Sequence, residues 1–335
     1  MIPPNASPWE SRIWRDELAR AYRKPSDLLL ALGLPCEPEV DSSIERGFAT
    51  LVPRPFAARM RSGDRADPLL RQVLPDAEEC TDRSGFTTDP LAEQTATVTA
   101  NLVQKYDGRA LLITTPGCAV HCRYCFRRHF PYEEHRPNSL DSAISTIEAD
   151  HSLSEVILSG GDPLLLRDDA LAKIIERLDR MPHLERLRIH TRLPVVLPQR
   201  ITASLLALLG RRRAEIVVVV HCNHAQELDT ETHRAFTALR NSGLWLLNQA
   251  VLLQGVNDTL AAQVDLHSTL FAQGVLPYYL HLPDPIAGTQ HFFVDEPAGQ
   301  ALHREMQSKL PGYLVPRLVK EIAGEPNKII VSSKN

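Results

Sequence analysis

The sequence predicts an α/β fold, a partial (βα)6 TIM-like barrel with a helical N-terminal extension and a short C-terminal segment. Three observations predict it. Between about residue 109 and residue 282 six short apolar runs recur: RALLITT, EVILSG, RLRIHT, EIVVVVHC, LWLLNQAVLL and VLPYYLHL. Each is rich in Val, Ile and Leu and bounded by polar or turn residues, the pattern of a buried parallel strand. Amphipathic segments lie between them, DDALAKIIERLDRM, TASLLALLGRRR, TETHRAFTALRNSG and TLAAQVDLHSTLFAQG, several opened by Ser, Thr or Asp and two closed by Gly, as helix ends are. After the first unit the strands repeat roughly every 30 residues, the length of a strand–helix–strand unit.

Residues 1–108, with KPSDLLLALGLP and DPLLRQVLP, read as a helical extension interrupted by Pro-rich turns. Residues 109–282 carry the six units, which curl into about three quarters of a barrel. Charged and Gly-rich residues gather just after the strands, where barrel active sites lie. Residues 283–335 show too little regular pattern to assign elements.

At 335 residues and 43% hydrophobic content the chain can bury a large core, and one barrel-like catalytic domain with extensions is favoured over two domains. A net charge of −4 with scattered Lys and Arg gives no basic tract for direct nucleic-acid binding. A small-molecule partner is expected. The start MIPPNASPWESRIWRDEL lacks the basic and apolar regions of a secretory signal, and no run approaches the roughly 20 apolar residues of a membrane span. Cys36, Cys80 and Cys222 are dispersed, which fits a reducing compartment and small apolar side chains better than a disulfide framework. The expectation is a cytoplasmic protein with no membrane partner.

The first strand is followed by TTPGCAVHCRYCFRRHF, in which Cys118, Cys122 and Cys125 supply three thiolates to one metal centre and no fourth. Electron-carrying clusters usually take four cysteines, and a tetrahedral zinc site could recruit His121 or His129. Three unrelated free cysteines are the bland alternative. After the second strand comes Ser159-Gly160-Gly161-Asp162-Pro163, whose glycines let backbone amides approach a ligand and expose an unpaired strand edge. In isolation it is an ordinary turn.

CxxxCxxC with Tyr124 before the last cysteine resembles the signature of radical S-adenosylmethionine enzymes. KYDGRALLITT, CRYCFRRHF, VILSGGDPLLL, RIHTRLPVVLPQRIT, HCNHAQE, LNQAVLLQGVND and PYYLHLPD together resemble the lysine 2,3-aminomutase family over nearly the whole chain. The extension WRDELARAYRKPSDLLLALGLP is similar to that of members serving β-lysylation of bacterial elongation factor P.

The resemblance implies a [4Fe-4S] cluster on the three cysteines, with one iron left to chelate the amino and carboxylate groups of S-adenosyl-L-methionine. It implies contacts to that molecule from Ser159, Gly160, Gly161, Asp162, His221 and Gln249. It also implies pyridoxal 5'-phosphate, with Lys328 in the C-terminal cofactor-binding segment as the catalytic Schiff-base lysine and Lys105 and Arg109 near the phosphate. Arg127 matches the position on the substrate carboxylate, where a planar fork suits two oxygens. Asp284 and Glu321 match the acidic pair around the far ammonium of L-lysine; without a cation between them they would repel. Asn248, His190, Arg192, Cys222, Asn223 and His224 line the same mouth in this reading, with no role assigned.

The implied reaction converts L-α-lysine to (R)-β-lysine, passed to a separate ligase of the elongation factor P pathway, with flavodoxin or ferredoxin as reducing partner. The alternatives are an aminomutase for arginine or glutamate, a radical enzyme without pyridoxal phosphate, and a non-catalytic iron–sulfur or zinc module. Two acidic pocket residues argue against glutamate. The chain departs from the better studied aminomutases in three places. Lys105 replaces an arginine, a point charge for a fork. Glu321 adds a methylene to an aspartate. Thr259 stands at the position of a zinc-binding cysteine, and no cysteine-bearing segment follows Lys328, so no zinc site is expected and a monomer or smaller oligomer is.

Overall fold

The structure is a computed structural model that describes residues 8–36, 48–131 and 140–331. Ten strands form one sheet in sequence order: β1 (Thr97–Thr99), β2 (Leu102–Tyr106), β3 (Arg109–Thr115), β4 (Glu155–Gly160), β5 (Arg186–Thr191), β6 (Glu215–His221), β7 (Trp245–Val251), β8 (Leu276–His281), β9 (Arg317–Lys320) and β10 (Ile329–Ile330). The six predicted strands are β3 to β8, and their neighbours pair in parallel. The run of Val and Ile in β6 buries Ile216, Val218, Val219 and Val220, as a strand covered on both faces requires.

The sheet extends past the predicted barrel on both sides. The extension is not helical throughout: β1 and β2 form a hairpin, and β2 pairs antiparallel with β3 through the two-residue turn Asp107-Gly108, with Gly108 at φ +71. Such a turn needs left-handed backbone, which Asp-Gly supplies. The C-terminal segment, left without elements by sequence pattern, contributes the helix Glu296–Lys309, a further parallel strand, β9, and an antiparallel β10. The order ends at β1 on one side and β10 on the other, so the barrel stays open.

The predicted amphipathic segments form the helices Asp168–Asp179, Ala203–Leu209, Thr230–Asn241 and Leu260–Ala272. Leu171, Ile174, Ile175 and Leu178 of the first are all buried, the stripe a helix needs to cover a sheet. Thr202, Asp229 and Thr259 cap the other three by accepting backbone N–H bonds. Thr259, the residue at the zinc-cysteine position, spends its hydroxyl on Ala262 N at 3.3 Å.

Leu28, Leu29, Phe56, Leu69, Leu70 and Val73 from the extension and Met306, Leu314 and Leu318 from the C-terminal segment belong to the same core as the strands. Each such buried side chain contributes about 1.5–3 kcal/mol, so both segments are integral to the packing around the barrel mouth.

Candidate active site

A cavity of about 620 Å³ opens at the C-terminal ends of β3 to β8, lined by the three cysteines, by every residue given a cofactor or substrate role above, and by His190 and Arg192. Asn248, Cys222, Asn223 and His224, expected at the same mouth, are not in its lining, because their polar groups are turned into bonds behind the strand ends. The cavity's volume lies in the range of small-molecule and cofactor sites.

The cysteines lie in the loop after β3, which the extension grips. Arg123 is fully buried and donates its Nε to Glu79 Oε1 at 2.7 Å and its Nη1 to Phe48 O at 2.6 Å. Arg128 reaches the same Glu79 at 2.8 Å and donates to Gly288 O at 2.7 Å. One carboxylate thus ties down two arginines flanking Cys125. The histidines weighed as zinc ligands face backbone carbonyls instead: His121 Nδ1 lies 2.7 Å from Ala49 O and His129 Nε2 2.9 Å from Ala287 O. Among the described residues no group of three or more His, Cys, Asp or Glu gathers as a single metal ion would require.

Burial pushes the Cys118 thiol well up, with added charge from Cys125, Asp162 and Cys122. Cys125 is pushed up to about 11, chiefly by burial and then by Cys122. Three thiolates could not share this enclosure uncompensated, so a cationic metal core fits the donor set. Arg192 supplies part of the compensation, its Nη1 lying 2.7 Å from Cys122 Sγ, and its buried Nε has no hydrogen-bond partner.

The Gly-Gly-Asp turn serves the fold more than sequence reading expected. Gly161 N and Asp162 N donate to Thr115 O and Gly117 O, each at 2.7 Å, so these two amides are spent on the cysteine loop. A Cβ on Gly161 would meet Gly117 O at 2.0 Å, and one on Gly160, at φ +119, would meet Thr115 O at 2.6 Å. The glycines are required by this close approach of two backbones. Asp162 accepts from Thr191 Oγ1 with both oxygens, at 2.8 and 2.9 Å, and from the backbone N of Arg192, Leu193 and Leu164 at 2.7, 3.2 and 3.0 Å. Its carboxylate fixes the end of β5 against the end of β4.

His221 and Gln249 face each other across β6 and β7. His221 Nε2 meets Tyr124 Oη at 2.8 Å, and burial, followed by the charge of Arg192, pushes the imidazole down to about 3. It is neutral. Asn248 instead ties Cys222 N, accepting at 3.0 Å. Asn223 Nδ2 donates to Gln72 Oε1 at 3.1 Å, and Cys222 is buried.

The other end of the cavity is a chain of alternating charges. Arg127 donates Nε and Nη2 to Glu93 at 2.8 and 2.9 Å and Nη1 to Ser159 Oγ at 3.1 Å. Lys105 lies 3.4 Å from Glu93 and 2.9 Å from Glu321, and Lys328 Nζ donates to the second oxygen of Glu321. Since Lys105 is on β2 and Glu321 directly follows β9, this contact spans the open side of the barrel. Burial alone would raise the Glu321 carboxyl, but Lys328 and Lys105 outweigh it and hold it at about 2. Asp284 is pushed up to about 7, first by burial and then by Glu321. The pocket therefore has one carboxylate already neutralised and a second short of a cation.

Arg109 stacks its guanidinium 4.9 Å from the Tyr106 ring centroid, and its Nε is buried without a hydrogen-bond partner. That unpaired donor suits an anion such as a phosphate. His190 Nε2 is likewise buried and unpaired, with its imidazole pushed well down by burial and the cations Arg188, Lys328 and Arg127. Lys105, by contrast, is committed to two carboxylates rather than held in reserve for a phosphate.

Sequence reading missed Glu93, Glu79, Gln72 and Glu227. Glu227 closes the HCNHAQE segment but was given no role, and no motif marks the other three, whose partners lie 34 to 155 residues away in the chain. Among the described residues no helix is long and apolar enough to cross a membrane.

The sequence matches the Radical SAM superfamily over residues 112–259. It is 45% identical over 325 residues to an L-lysine 2,3-aminomutase of Haemophilus influenzae, covering 96% of each chain. It is 44% identical over 319 residues to one of Escherichia coli, covering 94% of this chain and 93% of that one. To one of Clostridium subterminale it is 36% identical over 268 residues, covering 79% and 64%. With the cysteine loop at the mouth of an open α/β barrel, these relationships show that the chain belongs to the lysine 2,3-aminomutase family of radical S-adenosylmethionine enzymes, isomerases that work with an iron–sulfur cluster and S-adenosylmethionine.

Proposed function

We propose that this protein is a pyridoxal phosphate-dependent lysine 2,3-aminomutase that converts L-α-lysine to (R)-β-lysine, which a separate ligase attaches to elongation factor P. The observation that carries the reading is that Cys118, Cys122 and Cys125 line one cavity with Lys328, Asp284 and Glu321. When bound, the cluster and S-adenosylmethionine supply a hydrogen-abstracting carbon radical, and pyridoxal phosphate carries the migrating nitrogen.

The chain's own residues bind and orient. Lys328 would hold pyridoxal phosphate covalently, with Arg109 donating to the phosphate and Lys105 adding a diffuse positive charge. Arg127, braced by Glu93, would present its Nη1 edge to the substrate carboxylate beside Ser159. Asp284 and Glu321 would receive the far ammonium, which takes over the neutralising role that Lys105 and Lys328 fill in its absence. His221 and Gln249, with the Gly160 turn, would flank S-adenosylmethionine. Low-lying His221 and His281, the latter pushed down to about 3 by burial and by Lys328, stay neutral and add no competing cation.

In the cell the reading implies a cytoplasmic enzyme reduced by flavodoxin or ferredoxin. The division into residues 1–108, 109–282 and 283–335 is then one of role: bracing the cysteine loop, forming the barrel, and carrying the pyridoxal phosphate lysine.

The test is an anaerobic assay of reconstituted protein with reductant, S-adenosylmethionine and a panel of amino acids, read by chiral chromatography. β-Lysine from lysine, and none from arginine or glutamate, is expected. A β-amino acid from arginine but not lysine overturns the substrate. Lysine turnover undiminished in Lys328→Ala overturns the role of that lysine.

A further inference from the structure

We propose that Arg192 sets the reduction potential of the metal centre by donating to the sulfur of Cys122. The inference rests on the reading that the three cysteines hold an iron–sulfur cluster. Arg192 follows β5, and its Nη1 lies 2.7 Å from Cys122 Sγ. The rest of the side chain is locked. Nη2 donates to Gln72 Oε1 at 2.7 Å and to Glu227 Oε2 at 3.0 Å. Its guanidinium carbon lies 5.2 Å from the Phe56 ring centroid and 5.7 Å from that of Tyr124. The Arg192 backbone N donates to Asp162 at 2.7 Å.

The counter-charge sits on the far side. Glu227 is fully buried and accepts from Gln72 Nε2, Asn223 N and His224 N at 3.1, 2.9 and 3.1 Å. The pair is neutral as a whole, but its positive end touches a cluster ligand and its negative end points away. Reduction adds negative charge that is shared with the cysteine sulfurs. A hydrogen-bonded cation at one of them favours the reduced state over the oxidised one and raises the potential. A buried ion pair that only braced the loop would need no donor aimed at a sulfur, and bracing is already supplied by Glu79 with Arg123 and Arg128.

The experiment is a redox titration of cluster-loaded protein without S-adenosylmethionine, followed by electron paramagnetic resonance. The double variant Arg192→Gln with Glu227→Gln removes both charges and leaves no buried ion unpaired. Its midpoint is expected to fall, lowering the reduced-to-oxidised ratio at fixed poise about tenfold, or about 59 mV for one electron. Arg192→Lys keeps the charge without the fork and is expected between the double variant and wild type. A wild-type midpoint in the double variant overturns the proposal. So does a folded double variant that cannot hold the cluster, since Arg192 would then secure the ligand rather than tune it. Should the double variant not accumulate as folded protein, a wild-type midpoint in Arg192→Lys overturns the proposal by itself. Wild-type protein with no cluster signal sinks the underlying reading instead, whereas a present cluster with an unmoved midpoint sinks only this inference.

Discussion

At the cysteine end of the cavity the charges are paired in fixed, buried forks: Arg123 and Arg128 on Glu79, Arg192 on Glu227, each within 3.0 Å. At the other end one such fork recurs, Arg127 on Glu93, but beyond it the pairs are of another kind. Lys105 and Lys328 are flexible ammonium groups with side chains 17% and 24% exposed, sharing one carboxylate, with Asp284 left over. Forks on rigid elements hold geometry, while lysines trade partners at small cost. The difference teaches that the metal end is assembled before any ligand arrives, and that the tail end is wired to exchange one cation for another.

The sharpest way to break this contrast is to remove a single group from each end. Cys125→Ala should abolish cluster loading, read by iron content and visible absorbance, and Lys328→Ala should leave the cluster intact while turnover falls to background. If Lys328→Ala also lost its iron, the two ends would not be separable. Next in size, Glu79→Ala strands two arginines, of which Arg123 is fully buried. It should cost about 3–5 kcal/mol of stability, as breaking a buried pair does, measured by denaturant unfolding of the metal-free protein.

Asp284→Asn should instead spare stability and raise the KM for lysine about tenfold to a hundredfold, the loss of about 1.5–3 kcal/mol expected for a charged hydrogen bond. With its carboxyl at about 7, Asp284 gains a proton as pH falls through neutrality and loses its hold on the ammonium. The KM of the wild type should therefore rise below pH 7, and Asp284→Asn should flatten that dependence; a profile with the same slope in both would reassign the titration. Glu321, held at about 2, contributes no slope in this range. Smallest of all, Thr259→Ala removes a helix cap at an exposed residue outside the cavity lining. It should cost about 1 kcal/mol in thermal unfolding without altering turnover.

The barrel was legible because six short apolar runs recur and, after the first, start at nearly even spacing. β9 and β10 were not, since four and two residues carry no period and exist only because the sheet edge left by β8 needs a partner. The hairpin into β3 was written plainly as Asp107-Gly108 and was overlooked inside a segment taken to be helical. At the site, motif matching pointed to residues that line the cavity but could not show their bonds within the protein: the amides of Gly161 and Asp162 hold backbone, and Lys105 meets two carboxylates. Glu79 and Glu93 were invisible for a different reason, and Glu227, quoted within HCNHAQE, was given no duty for the same reason. Glu79 and Glu227 each close a capping box at a short 3-10 helix, but that local pattern says nothing of the distant arginine that only the fold brings to each.

The contact between Lys105 and Glu321 joins strand regions at opposite edges of a sheet that never closes. Nearby, Thr87 and Ile286 form a parallel bridge whose backbone bonds, Thr87 N to Pro285 O at 3.0 Å and Ala287 N to Thr87 O at 2.9 Å, tie the extension to the C-terminal segment independently of any charge. An incoming ammonium acts on the same Glu321 carboxylate, whereas salt screens so enclosed a pair only weakly. A cation filling the pocket can therefore change the charge pairing at this flank while the backbone seam beside it keeps the wall in place.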